Sequence, residues 1–78
     1  MKRLFAKAGT TVLVIKEQTD GVFLYEYRKD GFIGDTWHQT IDHAKEQAQI
    51  SFRAAPSDWS DIPATVIDSA AFALQISN

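Results

Sequence analysis

The residues able to do chemistry in this 78-residue chain are few and scattered. Glu26 and Asp35 fall on consecutive strand-like runs, where a hairpin makes them cross-strand neighbours close to Arg28 and Glu17. Two adjacent carboxylates can share a proton or hold a cation. With a guanidinium between them they instead form a salt-bridge cluster, which offsets the repulsion of like charges placed opposite one another. The cluster is the expectation, because the sequence offers neither a nucleophile nor a second metal ligand beside them. His38, Asp42 and His43 flank a strand-to-helix junction. A helix holds a metal with histidines at i and i+4; these two are five apart and His38 lies ahead of the helix. No metal site is expected, and His38 is read as bonding the backbone at the junction. There are no cysteines, so disulfides and thiolate metal sites are excluded. Serines and threonines are plentiful, yet none sits in a G-x-S-x-G elbow, and no glycine-rich phosphate loop is present. No catalytic residue and no cofactor is assigned.

Phe23, Tyr25 and Tyr27 alternate along one run. Such rings can stack on single-stranded bases, but those platforms sit in a positive field, and the chain carries a net charge of −2. An aromatic core strand is the simpler reading. Lys2, Arg3 and Lys7 are basic, while nothing after Arg53 is, and Asp58, Asp61 and Asp68 follow it. Three positive charges are too few for a nucleic-acid arm. The two ends are expected to attract one another or to be solvated.

The length allows one domain over residues 1–78, near the size at which a lone core is marginal. A hydrophobic content of 45% excludes disorder. No apolar run approaches the ~18 residues of a membrane span, and no signal-peptide apolar region opens the chain. A soluble cytoplasmic domain is expected.

Thr11–Glu17 (TVLVIKE) and Val22–Lys29 (VFLYEYRK) are strand-length runs rich in β-branched and aromatic residues. Asp20-Gly21 and Asp30-Gly31 between and after them are hairpin turn signals. A third strand is expected from Phe32 to about His38. From Thr40 the period becomes helical, with Ile41, Ala44, Ala48 and Phe52 on one stripe. Thr40 is a natural N-cap, and Pro56 stops the helix after Ala54-Ala55. In Ala64–Ser77, Ile67, Ala70/Ala71 and Leu74 share a stripe, which predicts a shorter second helix capped by Asp68 or Thr65; a strand at Thr65–Ile67 is the rival. The fold class is therefore α+β, a three-stranded antiparallel meander followed by one long and one shorter helix (β-β-β-α-α).

Hairpin parity places Val12, Val14, Phe23, Tyr25, Tyr27, Phe32 and Gly34 on one face. The other holds Leu13, Ile15, Val22, Leu24, Ile33 and Trp37, interrupted by Glu17, Glu26, Arg28 and Asp35. A half-solvated sheet alternates apolar and polar residues, whereas this one is apolar on both sides. One helix covers one face; the C-terminal segment, a second copy or a partner must cover the other.

Gly34–Gln47 (GDTWHQTIDHAKEQ), with Trp59-Ser60-Asp61-Ile62-Pro63 after it, resembles a family of small uncharacterised bacterial proteins. That family joins a GDTWH stretch to a helix of the D-A-K-x-Q-A kind and a later W-x-x-[VI]-P. Here Asp42-His43-Ala44-Lys45-Glu46-Gln47-Ala48 carries His43 as an insertion. The resemblance spans roughly a third of the chain and implies no activity. The order of strands and helix with a G-D-T before the helix also resembles HicB-type antitoxins, which implies a surface that contacts a partner protein.

These readings converge on a non-enzymatic protein–protein interaction module that pairs with a partner or with itself as a homodimer. The expected contact residues are Leu13, Ile15, Leu24, Ile33 and Trp37, with Glu26, Arg28 and Asp35 setting register, since charge selects partners more than it adds affinity. A nucleic-acid-binding or antitoxin-like regulatory module is the alternative. If Leu24 lies on such a surface, Leu24→Asp abolishes association and leaves the fold intact.

Overall fold

The strongest strand-former in the chain is the run Thr11–Ile15, and the rest of the molecule is arranged around it. In the computed structural model, which describes residues 1–77, all five of these residues are buried. Successive side chains of a strand point to opposite faces, so both sides of this strand must be covered. The strand is β2 (Thr11–Gln18). It lies between β1 (Arg3–Ala8) and β3 (Gly21–Arg28), and β4 (Gly31–His38) pairs with the far side of β3. A two-residue strand, β5 (Ser60–Asp61), joins the outer side of β1 and completes an antiparallel sheet in the order β4-β3-β2-β1-β5.

The fold is thus α+β with a four-stranded meander and a fifth short strand, in place of the three-stranded meander expected. The missing strand was Arg3–Ala8 (RLFAKA). Its basic residues and alanines, poor strand formers, hide a period-two pattern in which Leu4 and Ala6 are buried on one face and Phe5 packs on the other. Each hairpin closes on two residues: Gly9-Thr10, Thr19-Asp20 and Lys29-Asp30.

Two helices supply the two covers. The first, α1 (Ile41–Phe52), starts at Thr40, whose hydroxyl accepts the His43 N–H at 3.1 Å. Ala44 and Ala48 are fully buried, and their small side chains let the helix settle closely over Leu4, Leu13, Ile15, Val22 and Leu24. The helix ends at Arg53, ahead of the stop expected at Pro56. Arg53 adopts the left-handed conformation (φ 60°) and donates its N–H to the Ala48 and Gln49 carbonyls, which satisfies carbonyls that a helix end leaves free.

The second helix, α2 (Ser69–Ile76), is capped by Asp68, whose carboxylate accepts the Ala70 and Ala71 N–H groups at 3.0 and 3.1 Å. Eight residues are too few for a stable isolated helix; packing holds it. Ala73 is buried against Val12, Val14 and Tyr27, and Phe72 meets Phe5 edge-to-face at 5.0 Å. Arg3 ties the same segment down, donating to the Ser69 hydroxyl (3.0 Å) and the Pro63 carbonyl (3.2 Å). The two ends of the chain meet through these bonds to neutral oxygens; among the described residues no ion pair joins Lys2, Arg3 or Lys7 to Asp58, Asp61 or Asp68. Residues 65–67 form no strand, and Ile67 precedes the helix and is 96% exposed, so it belongs to no buried stripe.

This layering closes the face on which three of the expected contact residues lie. Leu13, Ile15 and Leu24 are 0%, 0% and 3% exposed beneath α1, so they hold the core within one chain. Leu24→Asp therefore buries an unpaired carboxylate, at a cost above about 4 kcal/mol. That is most of the stability a domain of this length has. The variant is expected to lose its cooperative thermal transition in circular dichroism; retention of that transition would show that Leu24 is not core.

Candidate functional site

The β3–β4 hairpin carries the surface features that the core does not use. Tyr27 opposes Phe32, Tyr25 opposes Asp35 and Phe23 opposes Trp37, while Ile33 has no partner and forms a bulge. Past that bulge the parity of β4 is reversed. Asp35 and Trp37 therefore cross to the side of Phe23, Tyr25 and Tyr27, and the assignment that put them beside Leu24 and Glu26 is overturned. One extra residue re-aims everything after it. The expected Glu26–Asp35 carboxylate pair does not form: Glu26 faces Gly34 and bonds Arg28 at 3.2 Å.

The α2 helix packs over β2 and the adjoining part of β3, against Val12, Val14 and Tyr27, and meets β1 through Phe72 on Phe5. Phe23 and Tyr25 are half-buried, whereas Phe32, Ile33 and Trp37 are 56%, 51% and 52% exposed. The rings form a continuous ladder. Phe23 stacks on Tyr25 with centroids 6.0 Å apart, and Tyr25, Tyr27 and Phe32 lie 5.7–6.4 Å from one another at tilted angles.

Trp37 is fixed in place at the end of this ladder. Its indole N–H donates to the Asp20 carbonyl at 3.2 Å, and the ring lies over Gly21. A β-carbon on Gly21 would sit 2.1 Å from the indole nitrogen, and the residue adopts φ +144°. Only glycine meets both demands. A large aromatic held in one orientation while half-exposed loses little freedom on binding.

Burial and neighbouring carboxylates both act on the phenols of this face. Burial, and then the Asp35 carboxylate, raise the Tyr25 phenol above its ordinary value. Tyr27 is raised by burial first, then by Tyr25, Asp68 and Asp35.

On the α1 side, β3 and β4 leave a notch of about 150 Å³ lined by Leu24, Glu26, Gly34, Asp35, Thr36 and Phe52. The Thr36 hydroxyl and His38 Nε2 stand 2.7 Å apart, so His38 bonds a neighbouring side chain and not the junction backbone. A hydroxyl–imidazole pair is the beginning of a nucleophile–base arrangement, which also needs a group orienting the imidazole; among the described residues none bonds His38. Burial, and secondarily His43, lower the His38 pKa. Among the described residues no group of three or more His, Cys, Asp or Glu converges as a metal site.

The eight residues read from sequence thus divide. Leu13, Ile15 and Leu24 are core; Glu26 and Arg28 form an ion pair on the α1 side; Ile33, Asp35 and Trp37 belong to the exposed end of the sheet. Phe32 was assigned to the aromatic face but not to a site, and the signal that singles it out is its place beside an edge-strand bulge. Comparison with known proteins finds no matching family model, curated protein or solved structure.

Two outcomes follow from this geometry. Gly21→Ala is expected to cost about 1–3 kcal/mol and to shift Trp fluorescence as the indole is pushed off its seat; an unchanged melt and spectrum would contradict the packing. Because folding holds the His38 pKa down, protonation favours the unfolded chain. Its contribution to stability is intact above the ordinary value of 6.5 and is lost as pH falls below it. Melting temperature measured at about pH 7.5 and about pH 5.5 is expected to fall further for the unmodified chain than for His38→Gln.

Proposed function

We propose that this chain is a non-enzymatic protein-interaction module whose contact surface is the uncovered β3–β4 end of the aromatic face. The observation that carries the reading is the continuous ladder Phe23, Tyr25, Phe32 with Trp37 pinned at its end, half-exposed on a rigid sheet. Pre-ordered aromatics surrounded by polar residues are what binding hot spots are made of, and a contiguous exposed apolar patch marks an interaction site. The role assigned to Ile33, Asp35 and Trp37 from sequence is kept; that of Leu13, Ile15 and Leu24 passes to Phe32 and Tyr25. No helix among the described residues is long and apolar enough to cross a membrane.

Two features weigh against a nucleic-acid partner. Asp35 stands in the middle of the rings, where it repels phosphates, and Arg3 is occupied holding the C-terminal segment. An inhibitor of the antitoxin kind is one form that such a module could take.

A photo-crosslinking residue placed at Phe32, compared with one at the exposed Glu46 of α1, tests the reading in cells. Discrete protein adducts are expected from position 32 only, and at least a tenfold loss when Trp37→Ala is added. Equal labelling from both positions, or adducts untouched by Trp37→Ala, would remove this face as the contact surface.

A further inference from the structure

An apolar face with a carboxylate at its centre selects among protein partners by charge. Asp35 is directly opposite Tyr25 on the neighbouring strand, and it is exposed. Cross-strand neighbours have β-carbons only about 5 Å apart, so the carboxylate rises beside the Tyr25 ring. Asp35 makes no ion pair: among the described residues the one salt bridge is Arg28–Glu26, which lies on the other side of the sheet. Lys16, opposite Phe23, lies on the same face on β2. Two strand spacings separate β2 from β4, about 10 Å. Around Asp35 the rings of Tyr25 and Phe32 are tilted at 57° with centroids 6.3 Å apart, so they are not stacked on one another, and Phe32 is 56% exposed.

Resting on the reading of this face as a contact surface, we propose that it receives an arginine side chain of a protein partner, the guanidinium lying on the Tyr25 and Phe32 rings and pairing with Asp35. Arginine fits better than lysine because a planar, weakly hydrated cation can stack on a ring and still offer two N–H groups to one carboxylate. After burial, which is the larger cause, the Asp35 carboxylate also raises the pKa of both tyrosine hydroxyls. A hydrophobic partner without a cation would have to desolvate Asp35 unpaired, which is costly. Two copies docking face to face would bring two such carboxylates together. The free edge of β4 is interrupted by the Ile33 bulge, a device that discourages strand addition, so the face and not the edge is the better contact.

The probe is the blocked peptide Ac-Ala-Leu-Arg-Leu-Ala-NH2 titrated into the isotope-labelled full chain, alongside the same peptide with neutral citrulline in place of arginine. Amide shifts are expected at Phe23, Tyr25, Phe32, Asp35 and Trp37. The arginine peptide should bind about fivefold more tightly than the citrulline peptide, and Asp35→Asn, an exposed isosteric change, should abolish that preference. Equal binding of both peptides at this face, unaffected by Asp35→Asn, overturns the arginine while leaving the contact surface standing. Shifts centred on the other acidic groups, or none at these five residues with either peptide, overturn the arginine and the contact surface together. Conversion to a dimer through this face without any arginine-dependent shift also overturns the proposal.

Discussion

The constraint on which this molecule turns is that β2 is apolar on both faces. A strand with Val12 and Val14 on one side and Leu13 and Ile15 on the other cannot face water anywhere. Neither helix suffices alone. Two alanines bring α1 close on one side, and a capped eight-residue helix, tied back by Arg3, closes the other. The small size of the domain makes each of these attachments matter, because little buried area is left to compensate for a lost one.

The same arrangement explains why the outer hairpin remains uncovered. The C-terminal helix packs over β2 and the adjoining part of β3, and eight residues span only about 12 Å. The sheet continues beyond its reach through β3 to β4. Cover therefore runs out where the aromatic residues are densest. In place of a helix, the hairpin is ordered by its own rings, by the seat that Gly21 makes for Trp37 and by the indole bond to Asp20.

Charge gives the surface its character. Glu26 and Arg28 neutralise one another on the helical side, whereas Asp35 has been carried by a single extra residue to the aromatic side, where among the described residues it makes no ion pair. The Ile33 bulge thus moves a carboxylate from the side of Glu26 and Arg28 to the face of the rings. It also carries Trp37 from the core side to the ladder.

Much of this architecture is readable in the amino-acid sequence. Strands over Thr11–Glu17 and Val22–Lys29, within a residue of the observed bounds, the Thr40 cap, a C-terminal helix cap at Asp68 or Thr65, and the two-faced apolar character follow from local propensity and capping chemistry, none of which needs a distant partner. The partition of Val12 and Val14 from Leu13 and Ile15 follows too, because an unbroken hairpin preserves parity. β1 escapes that reading, since alanines and basic residues become a strand only when β2 offers an unpaired edge beside them. The positions of Asp35 and Trp37 escape it as well: a bulge has no signature in Phe32-Ile33-Gly34 apart from the strand it pairs with. Which face the C-terminal helix covers, and how far it extends, was settled by packing in three dimensions, where the reach of eight residues met the width of four strands.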